Sequence, residues 1–171
     1  MLDICVNFED IELSNIQKCD LHYIEKWNES EEGFNFSQLN DRFLESVLSE
    51  CEYFLKIVKN NKLIGIIKGR VEFKEMNEAW IWFYYLNEEE NVGDLYCRIM
   101  EELLSFFLQE FDTKIFFTRV AVEDEISVNF WKSIGFRPLR LVKDFYNIND
   151  KSMDMLIMEK LGIDKKVKNI L

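Results

Sequence analysis

The chain is short of the residues that break or staple a fold. Its 171 residues include one proline and six glycines, and no repeat, low-complexity stretch or Pro/Gly-rich linker interrupts them. That argues for one continuous unit over a string of modules. Histidine occurs once, and four cysteines (Cys5, Cys19, Cys51, Cys97) are scattered without a Cys-x-x-Cys pair. Such spacing assembles no zinc site, so no metal is expected, and the cysteines read as small core hydrophobes in a reduced compartment. Basic residues are outnumbered: 21 Lys and Arg against 32 Asp and Glu leave a net charge of −11. A field of that sign repels nucleic-acid phosphates and anionic lipid, and favours cationic small molecules or basic peptide segments as partners. Long apolar runs are also missing. The longest, Ala79 to Leu86, falls far short of a membrane span, and Met1-Leu2-Asp3 opens without the basic and apolar regions of a secretory signal. A cytoplasmic protein with neither membrane nor nucleic-acid partners is the expectation.

What is present suffices for a core. Apolar residues make up 48 % of the chain, with fifteen Phe, six Tyr and four Trp among them. Ile11 to Ile16 reads as a strand, and Lys18 to Trp27 as a helix with Leu21, Ile24 and Trp27 at spacings of three. Ser37 is placed to cap a second helix running to about Ser49. Tyr53–Lys59 and Leu63–Phe73 flank Asn60-Asn61-Lys62 as an antiparallel hairpin. The run Ala79 to Leu86 suggests a central strand covered on both faces. Val92, Leu95, Ile99, Leu103 and Phe106 then define a long amphipathic helix ending near Phe111. Ile115–Val122 is a strand, and Ile126–Ile134 a helix stopped by Gly135. Two further strands, around Phe136–Tyr146 and Met153–Leu161, close the pattern. Residues 1–161 are therefore expected to form a single α/β domain, with 162–171 a short basic tail. The sheet should be mixed and mostly antiparallel, with about seven strands, four flanking helices and a βαβ step in the middle.

This order, with three local matches, resembles the GNAT superfamily of acyl-CoA-dependent N-acetyltransferases. Phe130-Trp131-Lys132-Ser133-Ile134-Gly135-Phe136 is similar to the ending of that family's fourth helix. Met155-Leu156-Ile157-Met158-Glu159-Lys160-Leu161 is similar to its closing strand, and Ile11 to Trp27 to its opening strand and helix. The resemblance implies acetyl-CoA as co-substrate, with a loop and helix start holding the pyrophosphate and the end of the preceding strand pairing with the pantetheine arm. Carried onto this chain, it places coenzyme contacts at Leu86, Asn87, Glu88, Val92, Gly93, Asp94, Tyr96, Asp124 and Lys132, with Arg98 a further basic neighbour. The chain departs from the family here. Asn91-Val92-Gly93-Asp94-Leu95-Tyr96 keeps one glycine, carries a carboxylate, follows Glu88-Glu89-Glu90, and has Tyr96 where a small residue usually stands. Trp131 stands where many members have a tyrosine able to protonate the leaving thiolate, and Asp124 where they have asparagine.

The same resemblance makes Glu78, at the start of the aromatic strand, a candidate base, against the alternative of a solvated strand end. Tyr84 is a second catalytic candidate, at the same strand parity unless a bulge intervenes, or else a core aromatic. Leu86, Asn87 and Glu88 would act through main-chain N–H groups on the thioester carbonyl. Tyr23, Trp27, Phe34 and Phe36 could wall the acceptor site through cation–π contact, or pack the first helices onto the sheet. His22 reads as a surface or half-buried residue. The implied activity is direct transfer of an acetyl group to a primary amine of a cationic small molecule or peptide, in a ternary complex; a homodimer is left open. The rival is a GNAT-fold ligand-binding or regulatory module without catalysis.

Overall fold

A computed structural model describes residues 1–27, 38–87, 93–148 and 151–162. Twelve elements follow one another: β1 (Cys5–Phe8), β2 (Ile11–Asn15), α1 (Lys18–Ile24), α2 (Leu39–Leu48), β3 (Glu52–Lys59), β4 (Lys62–Glu72), β5 (Asn77–Leu86), α3 (Gly93–Glu110), β6 (Thr113–Ala121), α4 (Glu125–Ser133), β7 (Arg137–Ile148) and β8 (Lys151–Leu161). The strands order as β1-β2-β3-β4-β5-β6-β8-β7. Pairing is antiparallel except for β5 with β6, the parallel step that a crossover through α3 requires. The sheet thus has eight strands where the sequence suggests about seven. The addition is β1, whose four residues are too few to display a convincing alternation, although Val6 is buried between exposed Cys5 and Asn7.

The chain divides into two compact units, Met1–Val71 with Trp82–Tyr96, and Glu72–Ile81 with Cys97–Leu171. In the first, α1 opens on a reciprocal capping box: the Gln17 amide donates to Asp20 Oδ2 at 2.7 Å. Asp20 also receives Lys56 Nζ at 2.9 Å, which ties the helix start to β3. The helix ends at Ile24, earlier than its apolar spacing suggests. Trp27 lies in the following turn, its amide bonded to the Ile24 carbonyl at 2.9 Å. Helix α2 starts from Gln38; Ser37, the expected cap, lies outside the described residues. Asn60 and Asn61 both take positive φ (49° and 63°), the two-residue turn that suits the twist of the β3–β4 hairpin. The core here joins Ile16, Leu21, Ile24, Trp27, Leu39, Phe43, Phe54, Ile66 and Tyr85.

A charge sits inside that packing. Lys68, in the middle of β4, is 3 % exposed and reaches under α2, where its ammonium meets Glu52 Oε2 at 2.7 Å, the Arg42 carbonyl at 3.2 Å and the Ser46 hydroxyl. The Phe54 and Trp82 rings flank it at 5.5 and 5.7 Å. A buried ammonium is tolerated only with partners of this kind.

In the second unit β5 pairs with β6 from Asn77↔Thr113 to Ile81↔Thr118, and Thr118 Oγ1 donates to the Ile81 carbonyl at 3.1 Å. Asp124 caps α4 by accepting from the Ser127 amide at 2.9 Å, and Gly135 takes φ 91° just beyond the helix, as expected of a glycine stop. Trp131 is buried, its ring 4.8 Å from Phe136. The cysteines are not core residues: Cys5 and Cys19 are exposed, Cys51 and Cys97 half-buried. Cys5 falls on an outward position of β1, Cys19 on the exposed side of α1, Cys51 between α2 and β3 and Cys97 on a half-buried flank of α3, and these positions override the general tendency of free thiols to be buried.

Two outcomes follow. Lys68→Ala leaves Glu52 without its cation and is expected to cost about 3–5 kcal/mol in denaturant unfolding, with the double change Lys68→Met, Glu52→Gln recovering most of it; a single-variant loss within about 1 kcal/mol, the value of an exposed pair, contradicts a buried pair. Tyr53 is fully buried, and burial pushes its phenol far above the ordinary value near 10. The folded state therefore holds a proton that the unfolded state loses, so this stability is complete below pH about 10 and is lost as pH rises beyond it. Phenolate absorbance should show at least one tyrosine ionising only together with unfolding, and Tyr53→Phe should remove that step.

Candidate active site

The end of β5 is shaped by what lies beside it. Register between β3 and β4 shifts after Ile57↔Gly65, with Val58 facing Leu63, so Ile64 is an extra residue. Its carbonyl accepts the Asn87 amide at 2.8 Å. A Cβ on the neighbouring Gly65 would lie 2.5 Å from the Tyr85 carbonyl oxygen and 2.9 Å from Ile57, and would strike the Leu86 side chain. Only glycine lets the strands approach so closely. Tyr85 and Asn87 therefore turn their backbone groups toward β4. By strand alternation, those of Tyr84 and Leu86 point the other way.

Side chains add a second irregularity. Trp82 flanks Lys68 beneath α2, while Phe83 packs on the same core and stacks with Tyr85 at 6.2 Å. Two consecutive residues on one face mean that β5 is bulged at Trp82–Phe83. Shared parity with Glu78 accordingly does not carry through to Tyr84. Tyr84 meets α3 instead: its hydroxyl donates to the Tyr96 carbonyl at 2.9 Å, the Tyr96 hydroxyl donates to the Tyr84 carbonyl at 2.9 Å, and the ring centroids are 4.1 Å apart. Gly93 begins α3, and Asp94 is exposed in its first turn.

The structure thus gathers Tyr84, Leu86, Asn87, Gly93, Asp94 and Tyr96 at the end of β5 and the start of α3. Trp27 supports them from behind, packed 5.7 Å from Tyr85 and 9 % exposed. Tyr23 is 59 % exposed, edge-on to the exposed His22 ring, with Lys26 Nζ 5.8 Å from its centroid. Phe34, Phe36, Glu88, Asn91 and Val92 lie outside the described residues. Glu78 stands at the opposite end of β5, where Lys74 Nζ sits 3.0 Å from it and 2.6 Å from Glu72. Hydrogen bonds to Glu72 first, and then to Glu78, hold the Lys74 ammonium above its ordinary value. In the second unit Asp124 is the α4 cap, Lys132 is exposed on α4, and half-buried Arg98 lies in the early turns of α3. Sequence reasoning missed Gly65 and Lys68. A glycine and a lysine inside the apolar run Leu63 to Phe73 were the available signals.

Among the described residues no group of His, Cys, Asp or Glu could hold a metal ion, and no helix is long and apolar enough to cross a membrane. The outward backbone of Leu86 fits an extended ligand, whereas the Asp94 carboxylate opposes an anion at the same helix start. A family model described as an acetyltransferase (GNAT) domain matches residues 13–157. The chain belongs to the GNAT acetyltransferases, a class of acyl-CoA-dependent N-acetyltransferases with acetyl-CoA as co-substrate. Among curated proteins none matches it.

Solved structures of similar fold include the spermidine N-acetyltransferase of Vibrio cholerae in complex with CoA and spermine, with a TM-score of 0.75 at 17 % identity over 89 % of this chain and 95 % of that one. The spermidine/spermine N-acetyltransferase of the same organism in complex with manganese ions gives 0.74 at 16 %, over 95 % and 98 %. A chimaera of the Vibrio cholerae enzyme with hSSAT gives 0.77 at 18 %, over 90 % and 96 %. At these identities the likeness is one of fold.

Gly65→Ala should cost about 1–3 kcal/mol of stability through forced displacement. Gly162→Ala is a control that is also crowded, though less so, since its Cβ would lie 2.7 Å from the Thr113 carbonyl oxygen. Both variants should melt earlier, but only Gly65→Ala should also weaken acetyl-CoA binding by calorimetry. Equal weakening by both would mean that the β5 end has no special part in it.

Proposed function

We propose that the chain acetylates a primary amine of a small polycationic acceptor by direct transfer from acetyl-CoA in a ternary complex. The observation that carries the catalytic half is the Asn87–Ile64 hydrogen bond, because it commits the Asn87 amide to the sheet and leaves Leu86 presenting its N–H outward. When bound, acetyl-CoA supplies the activated acetyl thioester. Leu86 N–H is the group on β5 suited to polarising its carbonyl, a role in which backbone donors are effective because they are fixed before reaction. Tyr84 is the hydroxyl at this end of β5 from which a leaving thiolate could recover a proton, with water as the alternative.

The acceptor class rests on charge and likeness. A net charge of −11 raises the local concentration of cations, and the Vibrio cholerae enzyme of similar fold is bound to spermine. Exposed Tyr23 remains the proposed aromatic contact, while Trp27 takes the packing role, buried against Tyr85. For the amine proton the reading has water as its receiver, because Glu78 stands at the opposite end of β5 from Leu86 and is paired with Lys74. Glu78→Gln tests this: kcat/KM should be retained within about twofold, and a loss on the order of a hundredfold or more would put the carboxylate in the proton path.

The test of the function is thiol release from acetyl-CoA with spermidine, spermine and a neutral primary amine of similar length. Turnover confined to the cationic amines, with intersecting initial-rate lines, is expected. Binding of acetyl-CoA without turnover of any polyamine at millimolar concentration would overturn the acceptor class. Failure to bind acetyl-CoA would return the chain to the ligand-binding alternative.

A further inference from the structure

The reciprocal tyrosine bridge has a consequence for the outward edge of β5. Tyr84 and Leu86 present their backbone groups on the same side, away from β4. The carbonyl of Tyr84 is already engaged there, by the Tyr96 hydroxyl at 2.9 Å. The return bond, from the Tyr84 hydroxyl to the Tyr96 carbonyl at 2.9 Å, fastens the first turns of α3 to the strand by a separate contact. Both bonds hold the helix to the strand, and the one from the Tyr96 hydroxyl also fills a position on the strand edge.

We infer that Tyr96 is a positioning residue that occupies the outward hydrogen-bonding position of Tyr84 and so confines an extended ligand to the Leu86 end of the strand. This rests on the reading of Leu86 as the coenzyme-facing residue. A ligand with successive amides, as the pantetheine arm has, can pair with Leu86 at once but can use the Tyr84 carbonyl only by displacing a neutral O–H···O bond. Displacement exchanges one hydrogen bond for another, so the hydroxyl acts as a standing competitor for that position. The stacked rings and the Tyr84 hydroxyl keep α3 in place whether or not the competitor is there.

The two halves can be removed one at a time. Tyr96→Phe deletes the competitor while retaining the ring and the bond from Tyr84; it should lower the apo melting temperature, as loss of any strand–helix hydrogen bond does, yet tighten acetyl-CoA binding about fivefold by calorimetry, the equivalent of one neutral hydrogen bond. Tyr84→Phe deletes the other half; it should lower the apo melting temperature and bring no gain in affinity, since Tyr96 still covers the carbonyl. Unchanged or weaker binding by folded Tyr96→Phe overturns the inference while leaving the acetyltransferase reading intact. If the wild-type chain fails to bind acetyl-CoA, it is that reading which falls. Should Tyr96→Phe not fold, NMR of the wild-type chain with labelled tyrosine decides: the Tyr96 hydroxyl proton should exchange with solvent as slowly at saturation with acetyl-CoA as without it, and exchange that speeds up on saturation shows the hydroxyl displaced and overturns the inference.

Discussion

The arrangement at the end of β5 depends on one close approach. Gly65 has no side chain, the Ile64 bulge turns a carbonyl toward the neighbouring strand, and Asn87 donates to it at 2.8 Å. Because backbone groups alternate along a strand, this single bond decides the direction of every amide near it. Tyr85 and Asn87 are spent on the sheet, and Tyr84 and Leu86 face outward. A scaffold that uses main chain for recognition must fix such parity firmly, since a slip of one residue would exchange the two sets. A glycine beside a bulge supplies that firmness without requiring any particular side chain at positions 86 or 87.

Firmness on the other side comes from an unusual source. Lys68 places an ammonium beneath α2, against Glu52, Ser46 and the Arg42 carbonyl, and between two aromatic rings. Desolvating an ion pair gains little net stability, but its geometry is far less forgiving than that of apolar packing. Trp82 must lie beside the ammonium, and Phe83 and Tyr85 pack on the same core. The bulge at Trp82–Phe83 is how β5 satisfies both demands, and it turns Tyr84 toward α3. The buried charge therefore helps decide which residues the strand presents, some distance from any reacting atom.

Much of this was legible in the sequence. Apolar spacing and Asn60-Asn61 marked the hairpin, Gly135 marked the end of α4, and order with local motifs pointed to the family that the match over 13–157 shows. The eighth strand, β1, is too short to alternate visibly. The helix end at Ile24 was obscured because Trp27 is apolar and correctly spaced, yet packs on Tyr85 from a turn. The site was only half legible. Candidates on β5 could be read from strand order, but which of them face outward depends on bulges at Ile64 and Trp82–Phe83, and a bulge comes from long-range packing that periodicity does not record. Tyr96 could be seen to be large; that it bonds back to Tyr84 could not.

Charge and backbone then divide the work of recognition in the proposed reading. With −11 overall and Asp94 in the first turn of α3, the field that draws a cationic amine opposes a phosphate-rich coenzyme. Two ligands of opposite charge cannot both be gathered by the same field. What remains for the coenzyme is the neutral, extended part of its structure, and the group on β5 suited to it is main chain. That is why the outward edge at Leu86 matters more here than it would in a chain with a glycine-rich, uncharged helix start. It is also why a single tyrosine hydroxyl on the adjoining carbonyl is enough to shift affinity. Where phosphate contacts carry little of the binding, each hydrogen bond along the strand carries a larger share.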